Sequence, residues 1–236
     1  MIIKFILFSL ISINSLFAQQ DEMPNGVKII TWNIQNIGKC KLTELKCSKT
    51  HSKEESSIIT STIKNNLAGK DIIFIQELST TSSVSNKDIQ AFVDKQYKKY
   101  KWFASKNVGT TKGNTERYLV LYNSDYDIEF IRYIENVNIV RSPLLIKFKQ
   151  FPQHFITVHL SASSKRVVPE IQVIENYIKS NNIESFVVLG DFNAGCQYMP
   201  KELFENVYFK SHTHWISSND DTTVRNTTSC AYDRLV

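Results

Sequence analysis

Beyond its first eighteen residues the sequence has no hydrophobic run long enough to span a membrane, no internal repeat, no low-complexity tract and no linker. These absences exclude a multi-span membrane protein, a repeat array and a string of flexible modules. One large domain is therefore expected within the 236 residues. Charge of one sign is also scarce. The formal balance is +5, and removing residues 1–18, where Lys4 is the sole charged side chain, leaves 27 basic against 23 acidic groups. So small an excess permits a polyanionic partner without requiring one, because steering depends on where charge clusters. The densest basic stretch, Lys95-Gln96-Tyr97-Lys98-Lys99-Tyr100-Lys101, reads as a solvated helix end rather than a nucleic-acid patch. With 42% hydrophobic and 22% charged residues, the chain has the composition of a protein that buries a core, which excludes global disorder.

Residues 1–18 begin Met-Ile-Ile-Lys, continue Phe-Ile-Leu-Phe-Ser-Leu-Ile and end Leu16-Phe17-Ala18, a small residue before Gln19. Ser9, Ser12 and Asn14 interrupt the apolar core, so a cleaved secretory signal is expected in preference to an anchor. The expectation is an exported chain, secreted or periplasmic, with no stable membrane association after cleavage. Four cysteines suit an oxidising compartment and allow three pairings. No long apolar face is left unexplained, so a monomer is expected.

Two runs share one design. Val27-Lys28-Ile29-Ile30-Thr31-Trp32-Asn33 and Asp71-Ile72-Ile73-Phe74-Ile75-Gln76-Glu77 each read as a buried strand ending in polar residues. Between them Ile59, Ile63 and Leu67 recur every four residues and Gly69 follows, the pattern of an amphipathic helix and its stop. Asn86 is expected to cap a second helix carrying Ile89, Phe92, Val93 and Tyr97, and Ile171, Ile174 and Ile178 mark a third. Further strands are expected at 102–105, 117–122, 128–133, 144–148, 155–159 and 186–189. Many strands and few helices indicate an α/β (α+β) architecture of two sheets packed face to face with helices outside.

Chemistry concentrates at strand ends. Leu189-Gly190-Asp191-Phe192-Asn193-Ala194-Gly195-Cys196 delivers a carboxylate and an amide after an apolar strand, and Asn33 and Glu77 end two others. Any one of them alone reads as a turn residue satisfying its own backbone. Brought together, these hard oxygen donors would form the incomplete cage that suits Mg2+ or Mn2+, able to assist phosphodiester hydrolysis. His159, at the end of Phe155-Ile156-Thr157-Val158, is a candidate proton carrier.

Five motifs in order, Trp32-Asn33-Ile34, Ile75-Gln76-Glu77, Thr115-Glu116-Arg117-Tyr118-Leu119, Gly190-Asp191-Phe192-Asn193 and Ala231-Tyr232-Asp233-Arg234, resemble the endonuclease/exonuclease/phosphatase superfamily. Within it, Gly195-Cys196 and Cys230-Ala231-Tyr232 look like the two ends of the structural disulfide of the deoxyribonuclease I group. Arg141-Ser142-Pro143 resembles that group's phosphate-contacting segment, and Trp215-Ile216 with Asp221-Thr222-Thr223 its calcium-binding loop. The resemblance covers Thr31 to the last residue, so residues 19–236 are expected to form one catalytic domain after the signal.

That resemblance implies a secreted endonuclease that hydrolyses DNA with Mg2+ or Mn2+, and with Ca2+ bound by Asp221 and Thr223. Asn33, Glu77, Asp191 and Asp233 would surround the catalytic metal. Asn193 and Arg141 would bind the phosphate, Glu116 would orient the catalytic histidine, and His159 would be that histidine. Cys196 would pair with Cys230; Cys40 and Cys47 are expected to close a small loop of their own.

The sequence departs from the group's pattern in four places. Leu160 intervenes before Ser161-Ala162, where the group's serine-alanine pair follows its histidine directly. Ser79 and Asn114 stand where its deoxyribonucleases carry a groove-reading arginine and tyrosine, which implies low sequence preference and weaker duplex binding. The sequence ends at Val236, before the group's closing Ser-Asp-His, so the last strands of the fold are expected to be missing. Two other functions remain alternatives: a phosphodiesterase for lipid or inositol headgroups, and a noncatalytic relative that only binds.

Overall fold

The computed structural model describes residues 11–12, 26–38, 42, 61, 63–80, 84–96, 98–109, 115–200, 203–204, 209–210, 212, 216, 221–222 and 230–236. Apart from Ile11 and Ser12, the expected signal lies outside the described residues, as do Ile59, Tyr97 and the Cys40–Cys47 pair. The chain divides into two compact units, residues 12–126 and residues 127–236 with 1–11. The expected mixed α/β architecture with two sheets is present, one five-stranded sheet being built mainly from each unit.

The first sheet has the order β1-β2-β3-β5-β4, from β1 (Ile11–Ser12), β2 (Lys28–Ile37), β3 (Ile72–Ser79), β4 (Tyr100–Ala104) and β5 (Glu116–Asn123). β2 and β3 are parallel, while β3 with β5 and β4 with β5 are antiparallel. Parallel neighbours require a crossover. Residues 63–67 are helical within it, with Ile63 and Leu67 buried, and Gly69 follows at φ +69, the left-handed stop its sequence position indicates. β3 is buried along almost its whole length, which explains its unbroken apolar run.

Helix α1 (Asn86–Gln96) already includes Asn86, the expected cap, so its cap lies one residue earlier. Ser85 is the capping residue: its hydroxyl accepts from Asp88 N at 3.2 Å, while Asp88 Oδ2 accepts from Ser85 N at 2.9 Å. The reciprocal pair satisfies two donors that Asn86, already inside the first turn, could not.

The second sheet has the order β10-β9-β8-β7-β6, from β6 (Ile128–Tyr133), β7 (Leu144–Phe148), β8 (His154–His159), β9 (Phe186–Asp191) and β10 (Asp233–Leu235). β8 and β9 are parallel and the other pairs antiparallel. Helix α2 (Val167–Ser180) makes this crossover, burying Val167, Ile171, Ile174 and Ile178 at helical spacing. They pack in one core with Ile156, Val158, Val188 and Phe192. Each fully buried Ile or Val contributes about 1.5–3 kcal/mol to that core.

Gly190 lets β8 and β9 meet at their C-terminal ends. Its φ is +134, and a Cβ there would stand 2.1 Å from the Val158 carbonyl oxygen. With no side chain in the way, Val158 pairs with Gly190 and His159 with Asp191.

Candidate active site

The sequence places Asn33 and Glu77 at strand ends, but both strands continue past them. β2 runs on to Ile37 and β3 to Ser79, and the pairing register shifts between Asn33 and Ile37 and between Ile75 and Leu78. The two side chains therefore sit at bulges, where an extra residue re-aims a side chain without ending the ladder. Glu77 adopts φ +59, a strained conformation for a non-glycine residue. Asn33 Nδ2 donates to Glu77 Oε1 at 2.9 Å, and Glu77 N donates to Glu116 Oε1 at 3.4 Å. Glu116 is buried on β5 opposite Ser79, and within this unit it braces the strained backbone of Glu77. Ser79, at the position of the group's arginine, is itself buried. Asn114 lies outside the described residues.

The second unit gathers His159, Asp191, Asn193 and Asp233. His159 is buried at the end of β8, with Nε2 3.7 Å from Asp191 Oδ2, so the intervening Leu160 does not turn the imidazole away. Leu160 packs in the core, while its N donates to the Asp191 carbonyl at 2.8 Å and its carbonyl accepts from Asn193 Nδ2 at 2.9 Å. Asn193, at φ +49, also donates its backbone N–H to Asp191 Oδ1 at 2.8 Å. The backbone bond is an Asx turn that fixes the Asp191 carboxylate, and the Nδ2 bond to Leu160 holds the Asn193 side chain.

Asp233 faces Asp191 across the antiparallel β9–β10 pair. Burial, and then the charge of Asp191, push its carboxyl pKa well above the ordinary value, against the opposing effects of Thr222 and Arg234. Its Oδ1 is buried with no hydrogen-bond partner. An orphaned carboxylate oxygen beside a second carboxylate fits a hard divalent cation, which would supply the missing counter-charge. Among the described residues, no three His, Cys, Asp or Glu side chains are grouped to hold a cation alone. One or two carboxylates completed by water and phosphate are the usual setting for Mg2+, so the donors fit that kind of site better than an all-protein cage.

The loop after β9 is strapped to the segment leading into β10. Phe192 N donates to the Tyr232 carbonyl at 3.0 Å, Arg234 Nη2 donates to the Ala194 carbonyl at 2.7 Å, and Cys196 is disulfide-bonded to Cys230. The fully buried Arg234 guanidinium also lies over the Phe204 ring.

Of the expected calcium ligands, Asp221 Oδ1 accepts from Cys230 N at 3.3 Å, and Thr223 lies outside the described residues. Between them Thr222, which sequence reasoning passed over, holds the carboxylate strand: its hydroxyl accepts from Tyr232 N at 2.8 Å and Asp233 N at 3.0 Å. Arg141 is half-buried in the connection between β6 and β7. The sequence also passed over Glu170. A carboxylate on the apolar stripe of α2, between Val167 and Ile171, was the signal that could have singled it out.

Residues 30–236 match the model of the Endonuclease/Exonuclease/phosphatase family. Deoxyribonuclease gamma of Homo sapiens is 25% identical over 252 residues, covering 98% of this chain and 75% of that protein. The Mus musculus protein of the same name is 38% identical over 89 residues, 35% of this chain and 29% of its own length. A humanized D. rerio TDP2 shares the fold with TM-score 0.56 at 15% identity, over 88% of this chain and 81% of that one. The match over most of the sequence shows that the chain belongs to the endonuclease/exonuclease/phosphatase family, with deoxyribonucleases among its relatives.

Proposed function

We propose that the chain is an exported endonuclease that hydrolyses phosphodiester bonds of DNA with little sequence preference and depends on a divalent cation. The observation that carries this reading is the buried Asp233 facing the half-buried Asp191, with Asp233 Oδ1 unpartnered and His159 beside Asp191. The relatedness to deoxyribonucleases favours DNA over lipid or inositol headgroups as the substrate.

From the sequence motifs, Asn33 and Glu77 in one unit and Asp191 and Asp233 in the other are each proposed as cation-binding residues. Mg2+ or Mn2+ bound there would polarise a phosphoryl oxygen and stabilise charge that develops in the displacement. His159 is proposed to hold or give a proton at Nε2, which lies 3.7 Å from Asp191 Oδ2. Asn193, pinned through its backbone N–H and Nδ2, offers its side-chain oxygen at a fixed place for the scissile phosphate or its partner ion. Glu116 holds the Glu77 backbone and is proposed to orient the histidine, and Arg141 is proposed to pair with a substrate phosphate. A buried Ser79 in place of an arginine leaves backbone charge as the main source of DNA affinity, which supports low sequence preference.

The Cys196–Cys230 disulfide supports an oxidising destination, and among the described residues no helix is long and apolar enough to cross a membrane. Calcium binding by Asp221 and Thr223 and a monomeric state belong to the same proposal. Plasmid nicking in Mg2+ and Ca2+, with EDTA as control and sphingomyelin as parallel substrate, tests it. Cation-dependent conversion of supercoiled to nicked DNA is expected; lipid turnover without nicking would replace it with a headgroup phosphodiesterase, and neither activity would leave a binding protein.

A further inference from the structure

Glu170 lies on the apolar stripe of α2 and is 1% exposed. A carboxylate in such surroundings is tolerated only when donors saturate its oxygens. Three do so. Val140 N donates to Oε1 at 3.0 Å, Ser161 Oγ donates to Oε1 at 2.7 Å, and Ser161 N donates to Oε2 at 2.6 Å. None comes from the helix that carries Glu170.

The origin of the donors gives the arrangement its meaning. Val140 immediately precedes Arg141, and Ser161 follows His159 and Leu160. Leu160 is in turn locked to the other cluster members, accepting from Asn193 Nδ2 and donating to the Asp191 carbonyl. One buried side chain thus anchors two separate connections: one bears the proposed phosphate-binding arginine, the other bears the proposed proton carrier. From there Ser163 N donates to the Ser161 carbonyl, and the Ser163 carbonyl accepts from Arg166 and Val167, so the turn leads straight into α2.

We propose that Glu170 is a positioning residue for the nuclease reaction, fixing from a single carboxylate both the Arg141-bearing connection and the turn after His159. The proposal rests on the nuclease reading above. Displacing Ser161 moves Leu160, and with it His159 and Asn193; displacing Val140 moves Arg141. Glu170 therefore acts on two kinetic quantities through two different segments: substrate binding through Arg141 and turnover through His159.

The test uses the full chain in steady-state plasmid nicking with Mg2+, comparing wild type with Glu170→Gln, Ser161→Ala and Arg141→Ala. In Glu170→Gln the new amide NH2 faces a donor, so one connection loses its acceptor while side-chain volume is kept. Cooperative melting is expected to persist while kcat/KM falls by about 10- to 100-fold, the size of effect that ångström-scale misplacement produces. The loss is expected in both constants, with KM raised and the pH dependence of kcat displaced.

Ser161→Ala spares the Val140 bond, so it is expected to lower kcat with KM nearly unchanged. In the Arg141→Ala background, Glu170→Gln is expected to raise KM no further. A folded Glu170→Gln protein with wild-type kcat, KM and pH profile makes Glu170 a purely structural latch and overturns the proposal. Should that variant fail to fold, a folded Ser161→Ala protein with unchanged kcat and pH profile overturns it instead. Wild-type protein that does not nick at all removes the nuclease reading itself, a failure distinct from either.

Discussion

Asp233 is buried opposite a second carboxylate and leaves one of its own oxygens without a hydrogen bond, an arrangement that costs stability. Replacing it with an isosteric amide removes the like-charge conflict with Asp191 but also removes a cation ligand. Asp233→Asn is therefore expected to stabilise cation-free protein by about 1–2 kcal/mol, a rise of roughly 2–8 °C in Tm at this chain length. Plasmid nicking should fall at least 100-fold at the same time. A variant that melts lower than wild type in EDTA would show that Asp233 has a stabilising partner.

His154, at the other end of β8, gives a pH prediction of known sign. Burial holds its pKa below the ordinary imidazole value, outweighing the upward effect of its bond to the Ser185 carbonyl. As pH falls, the unfolded chain takes up the proton first, so the folded state loses stability through the ordinary histidine range. His154→Gln is expected to flatten the decline in Tm between about pH 7.5 and 5.5; identical slopes in the two proteins would refute this. Single side chains differ in how far the sequence reveals them. Asp191 and His159 stand out because each ends an apolar run, whereas Thr222 matters through backbone donors at Tyr232 and Asp233, ten and eleven positions away, which no local pattern encodes.

At the scale of elements, strands and α2 were legible because buried side chains must be apolar and recur at the period of the element. Where the chemistry sits was harder to read. The apolar runs stop near Asn33 and Glu77, yet strand hydrogen bonding needs no apolar side chain, so β2 and β3 continue through bulges that hydropathy does not register. The α1 cap was missed by one residue because a serine and an aspartate three apart satisfy each other, a reciprocity visible only once Asp88 is weighed with Ser85.

Gly190 shows the opposite case, a sequence feature with an exact structural cause. Gly190→Ala would bring a Cβ to 2.1 Å from the Val158 carbonyl oxygen at a φ that disfavours any side chain. Either the β8–β9 register breaks or the strands part. The expected destabilisation is about 2–5 kcal/mol, read as a fall in urea midpoint at unchanged slope. Nicking should decline more than stability, because the next residue is Asp191; full activity in the folded fraction would show that His159 and Asp191 do not need this close approach.

For the molecule as a whole, each unit uses the same device. A parallel strand pair joined by a helical crossover brings two C-terminal strand segments to one sheet edge, where such folds present their chemistry. One edge carries Asn33 and Glu77, the other His159 and Asp191. This design was legible because the motifs occur in a fixed order along the chain; the strapping of 191–196 to 230–234 was not, apart from the disulfide, since it runs through backbone carbonyls.

The oxygen left without a hydrogen bond at Asp233 has a consequence for the stability of the entire protein. A cation that binds the folded chain and not the unfolded one stabilises it by about 2.7 kcal/mol at one hundred times its dissociation constant, or roughly 5–11 °C in Tm. Mg2+ or Mn2+ is therefore expected to raise Tm in a saturable way that EDTA reverses, even without DNA. Asp233→Asn should diminish that shift. If Asp233→Asn retains the whole shift, the stabilising cation sits elsewhere, and the orphaned oxygen of Asp233 is not what draws it.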